Sequence, residues 1–132
     1  MEFLEIHSEG KKYTAELIAL YNEAFPPEEK KPWELMERLF EEKKMEILAI
    51  TEGDTFIGLA ANMLFGDHAL LDYFAIASDK REMGYGSRAI RELQKRFAER
   101  TYILEIELCL PDAYNIGERR RRKAFYLRNG LK

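Results

Sequence analysis

The spacing of hydrophobic residues along this chain changes several times, and each change marks an element. Phe3 to His7 reads as a first strand. From Tyr13 to Ala24, Leu17, Leu20, Tyr21 and Ala24 fall at helical spacing. Pro26-Pro27 ends that helix, because proline lacks an N–H and disfavours helical backbone before it. Pro32 is placed for a first helical turn, and Trp33 to Lys43 follows as a second helix with Leu35, Met36, Leu39 and Phe40 on its apolar face. Met45 to Thr51 is a strand, Glu52-Gly53-Asp54 a tight turn, and Thr55 to Leu64 the returning strand of a hairpin. Gly66-Asp67 turns the chain into a third consecutive strand, Ala69 to Ala77. Ser87 to Arg100 returns to helical spacing, with Ile90, Leu93 and Phe97 facing inward. Tyr102 to Leu110 is a strand interrupted by Glu105 and Glu107 and broken by Pro111. A last helix, capped by Asn115 or a neighbour, reaches about Asn129, with Gly130 as its stop.

The predicted order is β-α-α-β-β-β-α-β-α. Three successive strands predict an antiparallel meander, and the strand–helix–strand unit after it predicts a parallel pairing. The fold class is therefore mixed α/β, a mostly antiparallel sheet with helices on both faces. A length of 132 residues suits one compact domain, 1–132, with a real core.

Chemistry concentrates where the strand ending at Ala77 meets the third helix. There the chain reads Arg81-Glu82-Met83-Gly84-Tyr85-Gly86. A glycine turn between a strand and a helix presents backbone N–H groups at the positive helix end, a site suited to phosphate or pyrophosphate. Gly84 and Gly86 allow unusual dihedrals and close approach of a ligand to the backbone.

Composition narrows the classes. The chain is 46% hydrophobic and 34% charged, ordinary for a soluble globular protein. No apolar run approaches the ~20 residues that span a bilayer, and Met1 to Glu5 lacks the character of a signal peptide. A single cysteine, Cys109, excludes an intrachain disulfide, and together these features predict a cytoplasmic protein. The net charge of −3 argues against general nucleic-acid affinity. Two histidines and one cysteine give no zinc spacing, so no metal is expected. Charge is uneven, however. Arg119 to Arg122, Lys123 and Arg128 crowd the end, whereas Glu28, Glu29, Glu34 and Glu37 lean acidic near the start.

The element order and the turn before the third helix resemble the GNAT superfamily of acyl-CoA-dependent N-acyltransferases. The resemblance covers nearly the whole chain. Arg81-Glu82-Met83-Gly84-Tyr85-Gly86 is similar to the family's pyrophosphate motif, Arg or Gln, two residues, Gly, one residue, Gly or Ala. Ala124-Phe125-Tyr126-Leu127-Arg128-Asn129-Gly130-Leu131 is similar to its Phe-Tyr-x-x-x-Gly-Phe signature, and Ala24-Phe25-Pro26-Pro27-Glu28 to the loop that helps shape the acceptor site. The resemblance implies acetyl-CoA as cofactor. The N–H groups from Met83 to Ser87, with Glu82, Tyr85 and Asn115 beside them, would hold the cofactor, and Arg81 would support the turn or touch phosphate. Phe74, Ala75 and Ile76 would pair through their backbone with the pantetheine arm. Tyr126 would protonate the departing thiolate. Phe25 and Glu28 would border a small-molecule or peptide amine, and a homodimer is among the assemblies the resemblance allows. Members usually continue past the Gly-Phe step with one or two strands, whereas this chain stops at Lys132, as a short or truncated form would. An unpaired sheet edge in such a form would invite association.

Acyl transfer needs a neutral amine, and a carboxylate can take its proton. The candidate bases are Asp72, on the strand before the turn, and Glu105 or Glu107 on the next strand, where alternation puts both on one face; Asp72 and Glu107 are also placed for the acceptor. Against each stands a structural role. Asp72 could pair with a basic side chain, Glu105 and Glu107 with the arginine run, and Tyr126 could be a core aromatic. The arginine run itself reads first as a solvated helix face. Trp33 and Phe40 read as core or pocket wall, His68 as an exposed turn residue, and His7 as a residue with no visible partner.

Three alternatives stay open. Gly84-Tyr85-Gly86-Ser87-Arg88-Ala89 also fits a dinucleotide fingerprint, with Glu105 placed for a ribose, although the antiparallel run before it fits that fold poorly. The domain could bind acyl-CoA or a partner without catalysis. The arginine run also leaves room for an RNA-linked acceptor, against the overall acidity.

Overall fold

A computed structural model of the chain describes residues 1–104 and 116–130. Five strands form one sheet in the order β1-β2-β3-β4-β5: β1 (Glu2–Glu5), β2 (Met45–Glu52), β3 (Thr55–Phe65), β4 (His68–Ile76) and β5 (Thr101–Leu104). The first four pair antiparallel, and β4 pairs parallel with β5. The four helices are α1 (Thr14–Ala24), α2 (Trp33–Glu41), α3 (Tyr85–Arg96) and α4 (Ile116–Arg128). This is the mixed α/β sheet with helices on both faces that the pattern predicts.

Strand alternation divides the core into two halves. Met45, Ile47 and Ala49 of β2 pack with Leu17, Leu20, Tyr21 and Met36 beneath α1 and α2. Leu48 and Ile50 point the other way, onto Ala89, Ile90 and Leu93 of α3, and Phe125 and Tyr126 of α4 pack against the same side. The predicted inward residues Ile90, Leu93 and Phe97 are all buried.

A polar network crosses the α3 side. The Tyr102 hydroxyl donates to Asn62 Oδ1 at 2.6 Å, and Asn62 Nδ2 donates to Glu46 Oε1 at 3.2 Å. Arg96 closes it with two hydrogen bonds to the Glu46 carboxylate, each 3.1 Å. Asn62 is fully buried, so these partners are what make its burial affordable. They also tie β5 to β3 across β4.

Several boundaries differ from the sequence reading. The first strand ends at Glu5 instead of His7, because the Ser8 and Gly10 amides both donate to the Glu5 carbonyl and turn the chain. Pro32 caps α2 from outside it, its carbonyl accepting from Leu35 and Met36. The third helix starts at Tyr85, because Gly84 adopts left-handed φ +80° as its cap, and it ends at Arg96 instead of Arg100. Gly130, at φ +89°, ends the last helix as expected. His7 is not partnerless. Its ring stacks on Phe40 with centroids 3.5 Å apart, and Nε2 lies 2.6 Å from Glu37 Oε2. The continuation of the fifth strand to Leu110 and the Asn115 cap lie outside the described residues.

Candidate functional site

The site is built around an irregularity in β4. Ala61 pairs with Tyr73, but the next residue, Asn62, pairs with Leu71, so Asp72 is an extra residue. Such a bulge re-aims side chains and disrupts the ladder locally. Ala69 and Leu71, before it, pack on the α3 side, whereas Tyr73 and Ala75, after it, pack on the α1 side. The parallel pairing with β5 runs from His68–Thr101 to Leu71–Leu104, one residue short of the bulge. Among the described residues, the edge of β4 from Asp72 to Ile76 has no strand on that side, and it lines an open cleft of about 1650 Å³.

One end of the cleft is made largely of backbone. Beyond β4, a short 3-10 turn at Ser78–Lys80 leads to Arg81, whose Nε donates to the Ile76 carbonyl at 3.1 Å. Glu82 and Gly84 both take positive φ, +64° and +80°. The first α-helical bond runs from the Arg88 amide to the Gly84 carbonyl, and no side chain caps the helix. The amides of Tyr85, Gly86 and Ser87 thus precede the intrahelical ladder at the positive end of α3. A Cβ on Gly84 would meet nothing within 4 Å, whereas one on Gly86 would stand 3.3 Å from the Phe125 ring. Gly84 therefore leaves open space above the turn, and Gly86 lets α4 dock onto α3. Lys80 and Arg81 bring positive charge to this end, and Arg121 and Arg122 of α4 also line the cleft.

The other end is made of side chains. Lys31 Nζ lies 2.5 Å from Asp72 Oδ2, so Asp72 has the basic partner that its structural reading foresaw. Two tyrosines hold the segment carrying that lysine. The Tyr21 hydroxyl donates to the Lys31 carbonyl (2.7 Å), the Lys31 amide donates to the Tyr73 hydroxyl (2.9 Å), and that hydroxyl donates to the Glu29 carbonyl (2.8 Å). Burial, with Tyr73 adjacent, pushes the Tyr21 phenol well above its usual range. Phe25 packs edge-on against Tyr73 at 5.0 Å, and Glu28 stands exposed at the mouth.

Tyr126 comes from α4 and lines the cleft opposite β4, half-buried. Burial raises its phenol above the ordinary value, with Arg122 pulling the other way. Of the residues predicted from sequence, the cleft gathers Asp72, Phe74, Ala75, Ile76, Arg81, Glu82, Gly84, Gly86, Ser87, Phe25, Glu28 and Tyr126. The side chains of Met83 and Tyr85 do not line it. The Met83 side chain is exposed to solvent, and Tyr85 packs against the α3-side core. Glu105, Glu107 and Asn115 lie outside the described residues. Sequence reasoning missed Lys31 and Tyr73, and no local pattern pointed to them. The packing of Phe125 on Gly86 likewise has no local signal in the sequence.

Among the described residues no helix is long and apolar enough to cross a membrane, and no cluster of His, Cys, Asp or Glu could hold a metal ion.

No curated protein matches the chain. Among solved structures, a protein from Bacteroides thetaiotaomicron described as a GNAT-family acetyltransferase superimposes with a TM-score of 0.83 at 26% identity, covering 98% of this chain and 71% of its own. An aminoglycoside 6'-N-acetyltransferase complexed with coenzyme A gives 0.68 at 19% identity, covering 98% and 84%. The Bacillus subtilis protein YycN gives 0.69 at 12%, covering 99% and 91%. The last two are alike in fold alone. The sequence profile described as "Acetyltransferase (GNAT) family" matches residues 14–128, and on that match the chain belongs to the GNAT acetyltransferase family.

Proposed function

We propose that this protein is an N-acetyltransferase that moves the acetyl group of acetyl-CoA to a primary amine within a ternary complex. One observation carries the reading: among the described residues, an open β4 edge runs from the Asp72 carboxylate at one end to the uncapped α3 N-terminus behind Gly84 at the other.

The residues present fit coenzyme A. The space above Gly84 and the amides of Tyr85, Gly86 and Ser87 suit a pyrophosphate, with Lys80 and Arg81 adding positive charge. The strandless side of β4 from Phe74 to Ile76 suits the amide groups of a pantetheine arm, which would add to the sheet edge as a strand does, beside the Ile76 carbonyl that Arg81 Nε already holds. The coenzyme, when bound, supplies an acyl group already activated as a thioester. A structural relative that holds coenzyme A supports this assignment.

Holding both partners in one cleft supplies most of the catalysis through proximity. Asp72 accepts the proton of the amine, directly or through water, once Lys31 has released it. Tyr126, kept protonated by burial, gives its proton to the departing sulfur. Glu28 and the aromatic wall of Phe25 and Tyr73 favour a cationic amine at the acceptor end. Glu105 and Glu107 are further candidates for the base.

Calorimetric titration with acetyl-CoA tests the reading. The parent is expected to bind and a Gly84→Glu variant to lose binding. A folded parent that binds no acetyl-CoA sinks it. A second reading, a non-catalytic acyl-CoA-binding module, is favoured by the Lys31–Asp72 ion pair, which occupies the candidate base. Acetyl-CoA binding with no thiol release against any amine, unchanged by Tyr126→Phe, would select it.

A further inference from the structure

Lys31 is an unusual lysine for a connecting segment. Its backbone is held on both sides, by the Tyr21 hydroxyl on its carbonyl and the Tyr73 hydroxyl on its amide. Its side chain crosses the Tyr73 ring, 5.4 Å from the centroid, and ends at Asp72. The neighbouring Lys30 points elsewhere, to Asn22 Oδ1 at 3.0 Å and over the Tyr21 ring. The two adjacent lysines thus have opposite fates, and only Lys31 delivers its amine to the carboxylate at the far end of the free β4 edge. The position it occupies is the one an acceptor amine would need.

We infer that Lys31 is an internal acceptor, acylated in cis by the acyl thioester of coenzyme A. This rests on the proposed cofactor reading. The Lys31 ammonium gives one proton to Asp72, and the neutral amine attacks the thioester carbonyl carbon. A C–N bond forms and the C–S bond breaks. The thiolate leaves with a proton from Tyr126, which regains the one Asp72 took, and the second proton that the nitrogen loses on becoming an amide goes to solvent. The net change is one acylated lysine, one free thiol and one proton released. An acylated Lys31 is uncharged and no longer pairs with Asp72, so the first transfer frees the carboxylate for amines from outside. Lys31 is then both modification site and latch.

The experiment incubates the full chain with acetyl-CoA and follows each lysine by peptide mass mapping, with Lys30 and the exposed Lys12 as internal comparators. Lys31 is expected to be acetylated at least about tenfold faster than either comparator, saturably in acetyl-CoA and at a rate independent of protein concentration. Lys31→Arg keeps the positive charge, and in it the fast label should vanish while calorimetric binding of acetyl-CoA persists. Three results overturn the inference. Binding of acetyl-CoA with Lys31 labelled no faster than Lys12 removes the internal acceptor and leaves the cofactor reading standing. A rate proportional to protein concentration makes the transfer intermolecular. A folded chain that binds no acetyl-CoA removes both readings together.

Discussion

The two ends of the cleft are built from different materials. At the α3 end the groups aimed inward are backbone amides, set by Glu82 and Gly84 in the left-handed region and by a helix with no side-chain cap. At the α1–α2 end they are side chains, Asp72, Lys31, Tyr73 and Phe25, brought from three separate segments. A backbone site needs particular residues only where the dihedrals or the close approach demand them, so it can be shared by many sequences and still bind one ligand. A side-chain site changes with every substitution. Under the proposed function, the coenzyme belongs to the first end and the amine to the second.

Gly84→Glu should break the first end most severely. It puts a side chain at φ +80° and a carboxylate where phosphate is expected, and affinity for acetyl-CoA should fall about a hundredfold or more, about 3 kcal/mol, by titration calorimetry. Unchanged affinity would mean that the amides of α3 are not the anion site. Tyr126→Phe removes the proposed acid without touching either end. Turnover is expected to drop about ten- to a hundredfold with coenzyme affinity unchanged, less than the full range for general acids because a thiolate leaves readily. Equal turnover in the two proteins would remove Tyr126 from the chemistry.

Gly86→Leu tests the docking of α4 on the first end. A Cβ there already stands 3.3 Å from Phe125, so overpacking should cost about 1–3 kcal/mol in chemical denaturation. A neutral result would mean that the α3–α4 contact gives way freely. The buried phenols of Tyr21 and Tyr102 sharpen the comparison through pH. Burial raises both in the folded state, from about 10 in the unfolded chain. The folded form therefore holds these protons more tightly. Stability from them is fully present below about pH 10 and is lost as pH rises toward the folded values. Denaturation midpoints measured from about pH 8 to about pH 11 should decline only at the top, and Tyr102→Phe should shrink that decline. Asp72→Asn should have the smallest effect on stability. Its ion pair with Lys31 is half-exposed and screened, worth at most about 1 kcal/mol, so thermal unfolding should barely move while amine transfer falls.

Sequence patterns predict one end of the cleft far better than the other. The strand and helix order follows from periodicity, because each face of the sheet must bury its own residues. The α3 end is legible because Gly84 and Gly86 are demanded by backbone geometry and close packing and stand in a short contiguous run. The bulge at Asp72 is not legible. Ala69, Leu71, Tyr73 and Ala75 alternate without a break, as if one face were buried throughout, yet the first two serve one core and the last two the other. Nor is the Lys31–Asp72 pair legible, since the partners are 41 residues apart and nothing local marks this lysine among its neighbours. Tyr73 reads as an ordinary core aromatic until the fold brings its hydroxyl to Glu29 and Lys31.

The network of Tyr102, Asn62, Glu46 and Arg96 has a consequence beyond the burial of one asparagine. It anchors the start of β5 at a set rung of the sheet, so β5 cannot slip along β4 and, among the described residues, their pairing always ends at the same place. From Ile76 back to Asp72 is a fixed length of strand, about 13 Å. A molecule held at the α3 turn and reaching for the carboxylate is thereby measured against a ruler whose zero mark is a buried asparagine.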